Sequence, residues 1–259
     1  MTISLEQMLS LINAFMLPFV RISAFFMAAP FFGAGSVPVR IRILLAVAVT
    51  FLLQPTITAS GDIDVFSAEG LLHVIQQALV GIALGTIFHF IMTAIVLAGH
   101  TVANTMGLGF ASSADPQNGA ESTVVGQVYT ILATLYFLGV DAHLRLLEII
   151  AASLQTIPLQ QFVLNVVFFQ SIVAFSSQIF VFGTLLVLPV IVGLLLVNLA
   201  IAVMTRAAPQ LNVFSLGFPL LILVGFVLML LCVPVMLPLF ANFMEATLVF
   251  MTEIVEGGL

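Results

Sequence analysis

Long stretches without any charged residue dominate this sequence. Between Glu148 and Arg206 lie 57 consecutive uncharged residues, between Glu69 and Asp115 lie 45, and between Arg206 and Glu245 lie 38. A helix that crosses the hydrocarbon core of a bilayer needs about 20 apolar residues. Each run therefore has room for one or two spanning helices, and the sequence predicts an all-α integral membrane protein.

The amino-acid composition excludes several classes of protein. Only 6% of the residues are charged and 62% are hydrophobic, whereas soluble domains carry about 25% charged residues. Five Arg and eleven Asp or Glu cannot cover the surface of a soluble fold of 259 residues. A net charge of −6 leaves no basic cluster for nucleic acid. The single cysteine excludes an internal disulfide and a cysteine-based metal site.

Six hydrophobic segments follow one another along the chain. Residues 1–10 contain no basic residue, so they do not resemble a signal peptide and we expect the first segment to be a retained span. The fifth segment, of 42 residues, predicts two helices or a bent hairpin, and Pro234 and Pro238 predict that the sixth is kinked or interrupted. Broken helices at membrane depth must be covered by protein or line a water-filled passage. The segments are Leu9–Phe32, Ile41–Leu53, Leu71–Ala98, Val124–Gly139, Val163–Met204 and Val213–Phe243.

The titratable residues give no sign of a catalytic centre. No two of the four histidines stand four residues apart, as in a helical metal site, and no nucleophile elbow or phosphate-binding loop occurs. We therefore expect no enzyme, metal or cofactor. A small-solute or ion-coupled transporter is the alternative function, because His89 lies deep in an apolar run with Gln76 and Gln77 nearby. His89 either bonds to a neighbouring helix or relays protons.

The segment from residue 105 to residue 120 combines turn chemistry with apolar side chains. Glycines on both sides of Leu108 weaken a helix, and Asp-Pro-Gln-Asn-Gly at 115–119 is typical of a turn. Met106, Leu108 and Phe110 are unusual residues to leave in water. The segment is therefore either an ordinary surface turn or a loop folded into a cavity, which soft apolar side chains close.

Small residues and arginines suggest packing positions. Gly81 and Gly85 stand four residues apart in an apolar helix, the spacing that lets helices approach closely. Arg145 has acidic residues one helical turn away on both sides and can pair within its own helix. Arg21 and Arg206 have none. They either reach the membrane interface or meet acidic groups of a partner subunit.

Several short motifs occur in a fixed order along the whole chain. They are Arg21, Ala29-Pro30, Gly33, Val37-Pro38, Arg40-Ile41-Arg42, Pro55, Gly107-Leu108-Gly109-Phe110-Ala111, Asp115-Pro116-Gln117, Ala208-Pro209-Gln210-Leu211-Asn212-Val213-Phe214 and Leu216-Gly217-Phe218-Pro219-Leu220. In this order and spacing they resemble the FliR family, the subunits of the export gate in flagellar and injectisome type III secretion.

The resemblance implies a subunit of a helical, pore-forming assembly with FliP and FliQ, joined by FlhB. Through it, unfolded flagellar proteins cross the bacterial inner membrane at the flagellar basal body. The fold implied is one membrane-embedded unit of long kinked helical hairpins, in contact with membrane lipid. Residues 1–160 would be similar to FliP and residues 161–259 to FliQ.

The resemblance also implies roles for individual residues. The loop would be a plug that helps to close the resting channel, with the residues Met106, Gly107, Leu108, Gly109, Phe110, Asp115, Pro116 and Gln117. Contacts between subunits would involve Arg21, Arg40, Arg42, Gly81, Gly85, Arg206, Pro209, Asn212, Phe214, Gly217 and Pro219.

Overall fold

The fold is known from a computed structural model that describes residues 5–33, 35, 37–57, 65, 67–109, 123–157, 159, 166–208 and 217–257. Within these residues every regular element is a helix, which confirms the predicted all-α class. In chain order the elements are α1 (Leu5–Ala28), α2 (Val39–Leu53) with a 3-10 turn (Gln54–Thr56), α3 (Ala68–Thr105), α4 (Val124–Gly139), α5 (Ala142–Thr156), α6 (Val166–Phe175), α7 (Gln178–Ala207) and α8 (Phe218–Glu256).

Four helical stretches in the described residues are long and apolar enough to cross a membrane. They cover Val39–Thr56, Ala68–Thr105, Val166–Ala207 and Phe218–Glu256, and a fifth is added if α4 and α5 form one broken span. α3 has 38 residues and α8 has 39, about twice what a bilayer core requires. The prediction of a membrane protein with unusually long helices is confirmed.

The predicted helix breaks are found in one segment and not in the other. α6 ends at Phe175 and α7 begins at Gln178, so the fifth segment is two helices, separated at its Ser176-Ser177 pause. α8 instead continues through both Pro234 and Pro238, so an interruption there is a wrong prediction. A proline removes one backbone donor, and neighbouring helices in a membrane protein can compensate for that loss.

The described chain packs as two units. The first consists of Met1–Phe90, Asp141–Ser176 and Ala246–Leu259, and the second of Ile91–Val140 and Ser177–Glu245. α3 and α8 each contribute residues to both units. This division follows packing, whereas the predicted boundary near residue 160 follows sequence resemblance and stays a prediction.

In the first unit, α1 and α3 approach so closely that only glycine fits between them. A Cβ atom on Gly81 would lie 2.2 Å from the carbonyl oxygen of Arg21, and one on Gly85 would lie 2.7 Å from the Cβ of Ala28. The spacing of the two glycines did predict a close helix contact. Their neighbour is α1 of the same chain, where we had expected another subunit.

The second unit contains a similar close approach between α3 and α4. A Cβ atom on Gly99 would lie 2.4 Å from the Cα of Gly126. On the same unit, the rings of Phe182 in α7 and Phe243 in α8 stack with centroids 3.9 Å apart. These contacts join α3 to α4 and α7 to α8 within the second unit.

Helix α2 exposes apolar side chains on most of its surface. Only Ala46 and Thr50 of this helix are buried, whereas Leu44, Phe51 and Leu52 are exposed. The hydroxyl of Thr50 donates to the carbonyl oxygen of Ala46 and is satisfied within the helix. Such a surface suits lipid or another subunit rather than water.

Candidate functional site

Helix α3 ends in a tight turn at the start of the predicted plug. The amide of Gly107 donates to the carbonyl of Asn104 at 3.0 Å, and the amide of Leu108 donates to the carbonyl of Ala103 at 2.9 Å. Gly107 has a φ of +85°, a conformation that glycine adopts without steric cost. This is the hydrogen-bond pattern of a Schellman C-terminal cap. The predicted weakening of the helix by glycine is therefore confirmed.

Met106 anchors this turn to the beginning of α8. Its side chain is fully buried and lies directly over Gly225. A Cβ atom on Gly225 would come within 2.6 to 2.8 Å of the Cε, Cγ and Sδ atoms of Met106. The thioether therefore occupies space that any larger residue at position 225 would fill. Met106 is therefore not left in water, whereas the choice between a surface turn and a loop folded into a cavity concerns residues 110–122, which lie outside the described residues.

A second contact joins the turn to α8. A Cβ atom on Gly107 would lie 2.4 Å from the Cε1 atom of the Phe218 ring, so the ring packs closely against the glycine backbone. Gly217, immediately before α8, is buried. We call Met106, Gly107, Phe218 and Gly225 the loop anchor. It holds the first residues of the predicted plug at a fixed place in the second unit.

The structure describes some residues of the predicted plug and subunit contacts, and the others lie outside the described part of the chain. Among the plug residues, Leu108 and Gly109 are partly buried beside the anchor. Among the predicted subunit contacts, Arg40, Arg206 and Pro219 are exposed, and Arg42 is partly buried. Those outside the described residues are Phe110, Asp115, Pro116, Gln117, Pro209, Asn212 and Phe214.

Arg21 lies in a polar cluster inside the first unit. Its Nε atom donates to Oε1 of Gln77 at 2.7 Å, and Nη2 donates to the carbonyl oxygen of Ile157 at 3.0 Å. Nη1 donates to the carbonyl oxygen of Ser153. The side chain is fully buried, so neither the membrane interface nor a partner subunit is its location. Both predicted locations for Arg21 are wrong.

The cluster secures the C-terminal end of α5. Ser153 lies in the last turn of α5 and Ile157 is the residue that caps it, at the end of the helix where backbone carbonyls run out of partners. The carbonyl of Ser153 also accepts the amide of Ile157 at 3.1 Å. A cation at this end is also favoured by the helix dipole. Gln77 completes the arrangement, because its Nε2 donates to the carbonyl of Leu159 at 3.1 Å. α1, α3 and α5 are thereby joined through one guanidinium group.

In the described part of the chain, the other titratable residues are not grouped as a metal site requires. Among the described residues, no three His, Cys, Asp or Glu side chains are placed to hold a metal ion. His89 is exposed on α3, whereas Gln76 and Gln77 are buried. The proton-relay alternative therefore gains nothing from the position of His89.

Sequence reasoning missed Phe218, Gly225 and Gln77 as contact residues. A lone glycine within an apolar helix indicates a close approach, so Gly225 carried a usable signal. Gln77 carried another, because a polar residue in an apolar run needs a hydrogen-bond partner. Neither signal identifies the partner.

Comparison with known proteins gives a consistent result along the chain. Residues 12–247 match the family model described as bacterial export proteins, family 1. The flagellar biosynthetic protein FliR of Escherichia coli K12 is 37% identical over 233 residues, which cover 90% of this chain and 89% of that protein. FliR of Bacillus subtilis 168 is 34% identical over 247 residues, covering 94% and 95%. FliR of Aquifex aeolicus is 30% identical over 220 residues, covering 85% and 84%.

Proposed function

The chain belongs to family 1 of the bacterial export proteins, and from this premise we propose that it helps to form and to close the channel of the flagellar type III export gate. It is a component of the flagellar export apparatus, as its relatives named FliR indicate. The observation that carries the proposal is the family match over residues 12–247. These relatives give no support to the alternative of a small-solute transporter, and we propose no enzymatic activity.

The closing element in this proposal is the segment from Met106 to Gly119. Met106 is fixed against Gly225, so the residues that follow leave from a defined point in the second unit. Apolar side chains can close a pore because water and ions find no partners among them. In the proposal Leu108 and Phe110 supply such side chains, and the turn at Asp115-Pro116-Gln117 folds the segment back.

The proposed surroundings are other subunits in the bacterial inner membrane at the flagellar basal body. FliP, FliQ and FlhB are the proposed partners, and unfolded flagellar proteins are the proposed cargo. The exposed apolar surface of α2, together with exposed leucines along α7 and α8, supports burial against lipid and other subunits. We retain residues 1–160 and 161–259 as the parts similar to FliP and FliQ. The proposed subunit contacts are Arg40, Arg42, Arg206, Pro209, Asn212, Phe214 and Pro219; Gly217 is not among them because it is buried within the chain.

Affinity purification of the tagged chain from its own membranes in mild detergent tests this proposal. We expect other small hydrophobic subunits to elute with it in a fixed molar ratio, because a gate subunit leaves large apolar surfaces to its partners. The ratio is measured by quantitative mass spectrometry. The proposal fails if the chain elutes alone and, in liposomes, transports a solute with saturable kinetics that the His89→Gln variant abolishes.

A further inference from the structure

A cavity of about 240 Å³ lies within the second unit, among α3, α4, α7 and α8. Both tyrosines of the chain line it, although the sequence contains only two tyrosines and no tryptophan. The remaining walls are Phe, Met and aliphatic side chains, without a charged residue. Its aromatic and sulfur-containing walls are Tyr129, Tyr136, Phe226, Met229, Met236 and Phe240.

The cavity walls select an apolar ligand. The hydroxyl of Tyr129 donates to Sδ of Met236 at 3.6 Å, so this polar group is already engaged within the protein. An extended peptide would bring amide and carbonyl groups that this wall leaves unpaired, at a large desolvation cost. Apolar cavities of about 150 Å³ stay dry and bind small hydrocarbons. The occupant that fits this larger space is therefore a hydrocarbon group.

The cavity lies at the middle of charge-free helix segments. α4 lies in a run of 19 uncharged residues between Glu121 and Asp141, and Leu132, in its middle, is a wall residue. The nine residue-to-residue steps from Leu132 to Asp141 correspond to about 14 Å along a helix, close to half the thickness of a hydrocarbon core. At this depth, the part of a membrane protein's surface that no other subunit covers is in contact with lipid acyl chains.

The cavity opens at the surface of the chain. Three of its leucines are exposed at the protein surface, namely Leu132 of α4 and Leu230 and Leu237 of α8. An acyl chain can pass them without crossing a polar group. Methionine walls adapt to a flexible chain because their side chains are unbranched and polarizable.

We propose that this cavity binds one acyl chain of a membrane phospholipid, admitted from the side between α4 and α8. The inference goes beyond the proposed export function. It requires only that the chain is embedded in a membrane, so its test and the test of the export function can fail separately.

Intrinsic tyrosine fluorescence tests the proposal directly. In a Tyr136→Phe variant of the full chain, all tyrosine emission comes from Tyr129, which is only 7% exposed. The variant is reconstituted into phosphatidylcholine vesicles whose acyl chains carry bromine at mid-chain, and into unbrominated vesicles. We expect bromine to quench most of the emission, because bromine quenches only at short range and Tyr129 lines the cavity. Equal emission in the two vesicles overturns the proposal.

Two substitutions in the same background separate the cavity from the outer surface. Ala133→Phe fills the cavity from its buried wall, whereas Leu135→Phe changes an exposed residue of α4 that does not line it. We expect quenching to fall in the first variant and to persist in the second. Ala133→Val is the smaller substitution if Phe prevents folding. Equal quenching in the filled and control variants contradicts binding inside the cavity.

The assembled protein is tested in native membranes. Phosphatidylcholine with a diazirine at mid-chain is added to membranes that contain the complete export assembly, irradiated, and located by peptide mass mapping. We expect adducts on residues 128–136 and 226–240, which Ala133→Phe reduces. If adducts form only outside these segments, a partner subunit or nothing fills the cavity, and the acyl-chain proposal is wrong.

Discussion

Replacement of Arg21 by alanine is expected to lower the thermal stability of the chain more than any other single change proposed for it. Two buried acceptors, Oε1 of Gln77 and the carbonyl oxygen of Ile157, lose the donor described above, whereas the carbonyl oxygen of Ser153 still accepts the amide of Ile157. Each buried group left unpaired costs about 1–3 kcal/mol. A fall in the unfolding midpoint on the order of 10 °C follows from these costs for a chain of this length. Circular dichroism in mild detergent measures it.

Two further variants at Arg21 separate hydrogen bonding from charge. Arg21→Lys keeps the charge but cannot span three acceptors with a planar fork, so we expect an intermediate midpoint. Arg21→Met fills space without donating, so it should remain close to the alanine variant. The matched control is Arg40→Ala, at an exposed position near the start of α2, where changes stay within about 0.5 kcal/mol. If the Arg21→Ala and Arg40→Ala variants have the same unfolding midpoint, the buried cluster does not stabilise the fold.

The second large effect is expected at the loop anchor. Met106→Ala removes a fully buried side chain and should cost about 2–5 kcal/mol. Gly225→Leu forces a larger side chain into the space of the thioether and should cost about 1–3 kcal/mol. The double variant replaces one side chain by the other in the same space. We therefore expect it to be more stable than the sum of the single changes by about 1 kcal/mol or more.

The double-variant comparison isolates the contact itself. Any gain in helix propensity on replacing Gly225 occurs both with and without Met106, so it cancels in the cycle. Met204→Ala is the matched control, since it removes an exposed methionine of α7. Combined with Gly225→Leu, it should give additive changes in unfolding free energy. Additive changes in the Met106 cycle as well would show that Met106 and Gly225 do not share this space in the folded protein.

The parts of the fold predicted from the sequence are those set by local chemistry. Gly107 adopts the positive φ that ends α3, and the Ser176-Ser177 pause separates α6 from α7. Both features depend on residues within a few positions of the break. α5 was missed as a segment because Asp141, Arg145 and Glu148 interrupt its apolar pattern. Its amphipathic character became clear only when its buried face was known.

The contacts that were missed join residues far apart in the chain. Arg21 contacts Gln77, 56 positions away in the sequence, and Ile157, 136 positions away. The sequence around each residue does not predict a contact with a residue so far along the chain. The continuity of α8 through Pro234 and Pro238 likewise depends on neighbouring helices. Gly81 and Gly85 show the limit most clearly. Their spacing predicted close packing, while only the tertiary structure shows that the neighbour is α1.

The measurement that tests the central claim most directly is the ion conductance of the reconstituted export assembly with residues 108–119 deleted from this chain. The deletion keeps Met106 and Gly107 of the loop anchor and removes the segment that we propose closes the channel. We predict that the assembly still purifies with unchanged subunit ratios and conducts small ions in liposomes, whereas the intact assembly does not. If the assembly that carries the deletion purifies with unchanged subunit ratios but remains impermeable to ions, the account is contradicted.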